Sequence, residues 1–143
     1  DLRKVSQADL EIIKKQIEFY KKNRDLLQFG TYYSLENCFD NPNYSSFIVV
    51  DEHQENAIMF VGETKLNIEP MRWKAKGLDP DGLYAVSLRE QANLVTNALS
   101  ISNYRGQTLI EEGLDLGRLS QTKDVDIYYK GIYTRLVILR KVT

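Results

Sequence analysis

Cysteine, histidine and proline are scarce in this chain of 143 residues, which holds one, one and three of them. A lone Cys38 excludes an internal disulfide and fits a reducing compartment, so the expected setting is the cytoplasm. A lone His53 offers no second imidazole for a metal, and it is the one histidine a nucleophilic triad could use as base. Charge of one sign is lacking too. With 19 basic and 20 acidic residues the net charge is −1, which leaves no electrostatic footprint for nucleic acid and no basic run to hold an anionic membrane. No apolar run approaches the roughly 20 residues of a membrane-spanning helix, and no signal peptide opens the chain. It opens instead at Asp1, without an initiating Met, in the polar approach to a helix, as a piece of a longer protein would.

What is present is one helical pattern followed by many short extended ones. From Ser6 to Gln28 the residues Leu10, Ile13, Ile17, Tyr20 and Leu27 recur at helical spacing, with Glu and Lys crowding the other positions. Ser6 followed by Asp9 predicts an N-cap with an acidic first turn, and Gly30 predicts the stop. The Lys-rich side is interleaved with Glu and reads as a solvated face. Beyond Phe29 the segments Tyr32 to Leu35, Phe47 to Val50, Ala57 to Val61, Met71 to Ala75, Leu83 to Leu88 and Leu94 to Ile101 are rich in β-branched and aromatic residues and separated by polar turns. Tyr104 to Asp124 is a long excursion with a short helical turn expected near Thr108 to Glu112. Val125 to Tyr129 and Leu136 to Val142 then complete the strands. Lys76-Gly77-Leu78-Asp79-Pro80-Asp81-Gly82 reads as a hairpin turn between two strands, with Asp79 accepting from the turn's backbone and Gly82 taking a positive φ. Evenly spaced strands without intervening helices predict a mainly β fold, an antiparallel two-layer β-sandwich preceded by one amphipathic α-helix. A chain of this size suits one such domain, burying roughly 68–70% of its unfolded surface.

The chemistry of the side chains points to no site. Asp79 and Asp81 are explained by the turn, Asp51, Glu52 and Glu55 by a loop tip, and Glu111 and Glu112 by an exposed bend, so nothing in the sequence pairs two carboxylates across a cleft. His53 reads as a loop residue and Cys38 as an ordinary thiol. Gly113-Leu114-Asp115-Leu116-Gly117 lacks the strand before and helix after that a phosphate loop requires. The sequence is therefore expected to hold no catalytic residue, no cofactor-binding residue and no metal ligand, and to need no cofactor. Nine tyrosines and Trp73 could form a sugar-stacking platform, but in a sandwich aromatics serve first as core and cross-strand packing.

Five stretches carry a resemblance. Lys14-Lys15-Gln16-Ile17-Glu18-Phe19-Tyr20 running on to Phe29-Gly30, Phe47-Ile48-Val49-Val50 with Asn56-Ala57, Lys76-Gly77-Leu78-Asp79-Pro80, Tyr104-Arg105-Gly106 leading to Gly113-Leu114, and Arg135-Leu136-Val137-Ile138-Leu139-Arg140 resemble, in order and spacing, the carboxy-terminal region of the α-galactosidases of glycoside hydrolase family 36. The resemblance implies a parent with a large amino-terminal β-domain and a central (β/α)8 barrel, of which residues 1–30 would be the last barrel helix and residues 31–143 the closing antiparallel β-sandwich. It implies a retaining, metal-free release of terminal α-linked galactose from melibiose or raffinose-type sugars. The family's two catalytic aspartates lie on barrel strands in motifs of the Lys-Trp-Asp type, which this chain lacks, so no catalytic residue carries over and this stretch alone is expected to be inactive. Three functional readings follow. A non-catalytic domain would pack on the barrel of the parent chain, with self-association into a homo-oligomer or folding back on the sandwich as fates of the helix stripe. A carbohydrate-binding sandwich would show two or three coplanar exposed rings. A free protein-interaction domain would be indifferent to sugar.

Overall fold

The amphipathic run folds as its spacing predicts, in a computed structural model that describes residues 6–36, 42–64, 71–90, 94–96, 102–117, 119–121 and 133–143. Helix α1 (Gln7–Lys22) starts at Ser6, whose hydroxyl accepts the Asp9 amide at 3.1 Å. It does not run on to Gln28 as one helix. Asn23 breaks it, because its side-chain amide donates to the Phe19 carbonyl at 2.9 Å and competes with the backbone ladder. A second helix, α2 (Arg24–Phe29), follows and stops at Gly30, the expected place.

The strands form a six-stranded antiparallel sheet in the order β1-β2-β3-β10-β5-β7, comprising β1 (Thr31–Ser34), β2 (Tyr44–Val50), β3 (Asn56–Glu63), β10 (Tyr133–Lys141), β5 (Leu83–Glu90) and β7 (Ser102–Arg105). The last strand enters the middle of the sheet, pairing with β3 on one side and β5 on the other. Facing it is a thinner layer built from β4 (Arg72–Trp73) paired with β8 (Leu114–Asp115) and from the short helix α3 (Gly106–Glu111), which covers most of the turn expected near Thr108. A further pair, β6 (Leu94–Thr96) with β9 (Leu119–Gln121), completes the described strands. The fold is thus the mainly antiparallel β architecture with an amino-terminal helix that the pattern predicts. Val125 to Tyr129 and the end of the Leu94 to Ile101 segment lie outside the described residues.

The core lies between the two layers. Ile48, Val50, Met59, Val61, Val86, Val137 and Leu139 point from the sheet onto Trp73, Ala75, Leu78, Leu109, Leu114 and Leu116, all buried. Period-2 alternation then sends Phe47, Val49, Ile58, Phe60 and Leu136 to the opposite face, where Phe19, Leu26 and Leu27 of the helices cover part of them. Among the described residues one cation sits within the core: Arg135 is fully buried, ion-paired with Glu63 and donating to the Leu116 carbonyl at 3.0 Å. Burial pushes the Glu63 carboxyl up, with the Arg135 charge and hydrogen bond pulling back.

The turn at Asp79 joins different layers and is not a hairpin. Its leading strand pairs with β8 and its trailing strand with β10 and β7. Alternation before it is nonetheless as predicted, with Trp73 and Ala75 buried and Arg72, Lys74 and Lys76 exposed. Asp79 Oδ1 accepts the Asp81 amide at 3.0 Å, as expected of this turn. The positive φ falls at Gly77 (78°) rather than Gly82, because the chain reverses as it crosses from one layer to the other, beside the Tyr33 ring.

Candidate functional site

Two places on the molecule gather polar and aromatic groups. The first is the corner where the Asp51 to Asn56 loop, the Gly77 to Gly82 turn, the Arg105–Gly106 junction and the carboxy-terminal strand meet. The buried Tyr84 hydroxyl donates to the Gln54 carbonyl at 2.6 Å and accepts the Asp79 amide at 2.9 Å. The Gln54 side chain donates to the Gly77 carbonyl at 2.8 Å, Gly106 donates its amide to the Gly82 carbonyl at 2.8 Å, and Gln107 donates to the Pro80 carbonyl at 3.0 Å. Lys141 Nζ lies 2.7 Å from Asp79 Oδ2. Two of the stretches that carry the family resemblance, Lys76 to Pro80 and Tyr104 to Gly106, therefore meet here, and their shared task is architectural. Replacing Tyr84 by phenylalanine is expected to cost about 1–3 kcal/mol, since it strips a partner from two backbone groups at once, and urea unfolding measures it.

Titration of the corner ion pair has a definite sign. The hydrogen bond from Lys141, then that from the Asp81 amide, hold the Asp79 carboxyl below its ordinary 3.8, and the bond to Asp79 lifts Lys141 above its ordinary 10.5. A depressed carboxyl stabilises the fold above its unfolded value and loses that contribution as pH falls through its folded one. A raised amine does so below its unfolded value and loses it as pH rises through its folded one. The pair's contribution is thus expected to hold between about pH 4 and pH 10. The difference in unfolding midpoint between wild type and Asp79→Asn should shrink at both ends of that range.

The second place is the groove between α1 and the outer face of the sheet, about 750 Å³, lined by Lys15, Phe19 and Lys22 from the helix and by Arg89, Ile138 and Arg140 from the sheet. Arg89 stacks on the Phe19 ring at 4.4 Å and donates to the Lys15 carbonyl at 3.2 Å. Arg140 Nη2 donates to Asn23 Oδ1 at 2.8 Å, which ties the helix break to the central strand. Burial pulls the Arg140 guanidinium below its ordinary value, with Asp51 opposing. Apolar side chains on the same side remain uncovered: Phe29 is 81% exposed, Tyr32 60%, Ile17 48% and Tyr20 45%. Sequence reasoning marked Ile17 and Tyr20 as a stripe without a partner but missed Phe29, Tyr32 and the two arginines. The signal for them was the last strand, where Leu136 and Ile138 alternate with Val137 and Leu139, so that both faces of the sheet ask for cover.

The residues weighed on sequence fall at turn and loop positions, apart from Glu111 at the end of α3 and Asp115 in β8. His53, Glu52, Glu55, Asp81, Glu111 and Glu112 are exposed, and Asp51 accepts the Glu55 amide and the Asn56 side chain at 2.8 Å each. Asp115 Oδ1 accepts the Gly117 amide at 2.8 Å, with Gly113 and Gly117 at positive φ, which is turn chemistry. Cys38 lies outside the described residues. Among the described residues no three of His, Cys, Asp and Glu gather where a metal could be held, and no helix is long and apolar enough to cross a membrane. Of the aromatics, Trp73, Tyr84 and Tyr44 are buried, with Tyr44 set edge-on to Trp73 at 5.5 Å. Phe47 and Phe60 stack on each other at 4.4 Å with Tyr32 tilted against Phe47 at 5.0 Å, so these rings spend their faces on one another.

An antiparallel sheet with a helix on one face and a thin second layer on the other defines a β-sandwich domain with one side left open. Relatives place it more closely. No protein-family model matches the chain. It is 35% identical to the α-galactosidase Mel36A of Lactobacillus acidophilus over 86 residues, 59% of this chain and 12% of that enzyme. It is also 35% identical to α-galactosidase 1 of Pediococcus pentosaceus over 82 residues, 56% of this chain and 11% of that one. Among solved structures, the α-galactosidase of Lactobacillus brevis aligns with all of this chain and 18% of its own, at 27% identity and a TM-score of 0.74. The family 36 α-galactosidase AgaB of Geobacillus stearothermophilus shares the fold at 24% identity and a TM-score of 0.75, over 99% of this chain and 17% of its own. The chain resembles the carboxy-terminal region of the α-galactosidases of glycoside hydrolase family 36, as its motifs imply, and spans less than a fifth of each of these relatives.

Proposed function

We propose that this chain is a non-catalytic carboxy-terminal domain of an α-galactosidase, whose work is to pack on the catalytic (β/α)8 barrel and stabilise it. Residues 1–30 would be the last helix of that barrel and residues 31–143 the sandwich that follows. The parent would release terminal α-linked galactose from sugars such as melibiose and raffinose, in the cytoplasm, and a doubly substituted AgaA of Geobacillus stearothermophilus, whose fold this chain shares in part, has been solved in complex with raffinose. The observation that carries the reading is the open apolar side, where Ile17, Tyr20 and Phe29 of the helices and Tyr32 of β1 lie exposed and the helices cover only part of the outer sheet face. A soluble fold rarely leaves so many large apolar groups on one side unless something covers them.

The competing carbohydrate-binding reading needs two or three coplanar exposed rings; Phe47 and Phe60 stack on each other, and the exposed Tyr32 is tilted at 34° to Phe47, which speaks against it. An NMR titration of the chain with melibiose and raffinose separates them. Unmoved amide signals and unchanged anomeric signals are expected. Saturable shifts would favour the binding module, and new galactose signals would overturn the non-catalytic assignment.

A further inference from the structure

The sheet holds its two helices to different degrees. α2 is seated: Leu26 is buried against Val49 and Ile58, and a Cβ added to Gly30 at its end would stand 2.5 Å from Val49 Cγ1. In α1 no residue is buried, although it runs for 16 residues. A helix of that length takes most of its stability from packing an amphipathic face, and Ile12 and Phe19 along an open groove are little to pack. The larger apolar face points elsewhere. Leu10, Ile13, Ile17 and Tyr20 keep the alternating three- and four-residue spacing of a packing seam, centred roughly 130° around the helix from Ile12 and Phe19. Ile17 is 48% and Tyr20 45% exposed, and Leu10 and Ile13 are only partly covered. α1 therefore has a minor apolar face on this sheet and a major one that the described residues leave open.

We infer that the Leu10, Ile13, Ile17 and Tyr20 stripe packs on the preceding, catalytic part of the parent chain while Arg89 and Arg140 grip the other side of the same helix, which makes α1 the joint between the two parts. The inference rests on the accessory-domain reading and names the residues of its contact. This chain aligns with the carboxy-terminal region of its relatives, 17% of one and 18% of another, so the rest of the parent reaches the domain through α1. A surface tethered in this way meets the stripe at an effective concentration that a separate partner or a second copy rarely matches. The grip needs no buried side chain of α1. Arg89 lies 4.4 Å from the Phe19 ring centroid and donates to the Lys15 carbonyl at 3.2 Å, and Arg140 Nη2 donates to Asn23 Oδ1 at 2.8 Å. The break at Asn23 then divides the helical run into a shared α1 and an α2 that belongs to the sandwich.

The test uses the full-length protein that contains these residues. Hydroxyl radicals oxidise tyrosine rings according to their access to solvent. Tyr20, 45% exposed in this domain, is expected to react as slowly as the fully buried Tyr84. An amine-reactive cross-linker on Lys14 and Lys21, which flank the stripe, should reach residues that precede α1 in the same chain, so that a mixture of light and heavy isotope-labelled protein yields no light-to-heavy pairs. Arg89→Ala should shorten the half-life of the proposed activity at elevated temperature by about threefold to tenfold, the order expected from losing a cation–π contact and a hydrogen bond from a charged donor, with Tyr20 and Tyr84 still slow to react. If that variant unfolds the sandwich, so that Tyr84 reacts fast, Phe19→Ala removes the same contact from the other side and carries the same expectation. Tyr20 reacting clearly faster than Tyr84, light-to-heavy cross-links, or a half-life unmoved by the loosened grip would each overturn the inference, and the accessory reading stands if removal of residues 31–143 still shortens the half-life. A full-length protein without a catalytic barrel, or one whose half-life ignores that removal, would overturn both.

Discussion

Arg135→Ala is expected to destabilise the domain by about 3–5 kcal/mol, the cost of breaking a buried ion pair and leaving one charge behind. Arg135 is fully buried, and its removal strands Glu63 in the core and takes the donor from the Leu116 carbonyl. Equilibrium urea unfolding gives the magnitude. The double variant Arg135→Met with Glu63→Leu separates two causes. If the loss comes from the orphaned carboxylate, the double variant should regain most of it, since apolar groups of similar volume often replace such a pair at little cost. The pH dependence has a sign as well. With Arg135 gone, burial acts on Glu63 unopposed and its folded pKa rises further above the unfolded value near 4.5. A raised carboxyl contributes stability at low pH that is lost as pH rises through the folded value, so the deficit of Arg135→Ala should be smaller at pH 4 than at pH 7.

Gly106→Ala is the second large effect. A Cβ built at this position would stand 1.9 Å from the Asp79 carbonyl oxygen, which is backbone and cannot swing aside. The corner would have to open, breaking the bonds from Gly106 to Gly82 and from Gln107 to Pro80. A loss at or above the upper end of the about 1–3 kcal/mol usual for overpacking is expected. Gly82→Ala serves as the internal control. The nearest atom to its added Cβ is Lys141 Cε at 3.0 Å, on a flexible side chain, so a much smaller change in the unfolding midpoint is expected.

The helix, its capping serine and its stop at Gly30 were legible because local signals agree there: periodicity, an N-cap hydroxyl and a glycine at the end. The strand character of β2, β3 and β5 was legible from β-branched and aromatic residues at period 2. The pairing of those strands was not. Which strand sits beside which depends on contacts far apart in sequence, and the turn at Asp79 has the residues of a hairpin turn while its flanks go to separate layers. The ion pair of Glu63 with Arg135 was illegible for the same reason, since 72 residues separate its members. The short strand β8 holds two residues, too few for an alternation to declare itself. At the groove, Arg89 and Arg140 look like ordinary surface residues in sequence. Only the placement of the central strand under the broken helix shows that they face the same hollow.

The most direct measurement is the thermal half-life of the galactose-releasing activity proposed for the full-length protein, with and without residues 31–143. On the proposed role, turnover at low temperature is expected to survive the deletion while the half-life shortens sharply, and the separately added domain is expected to restore part of it. A deletion that abolishes turnover in enzyme whose half-life and fold are otherwise intact would contradict the account, because it would mean that this domain takes part in the chemistry.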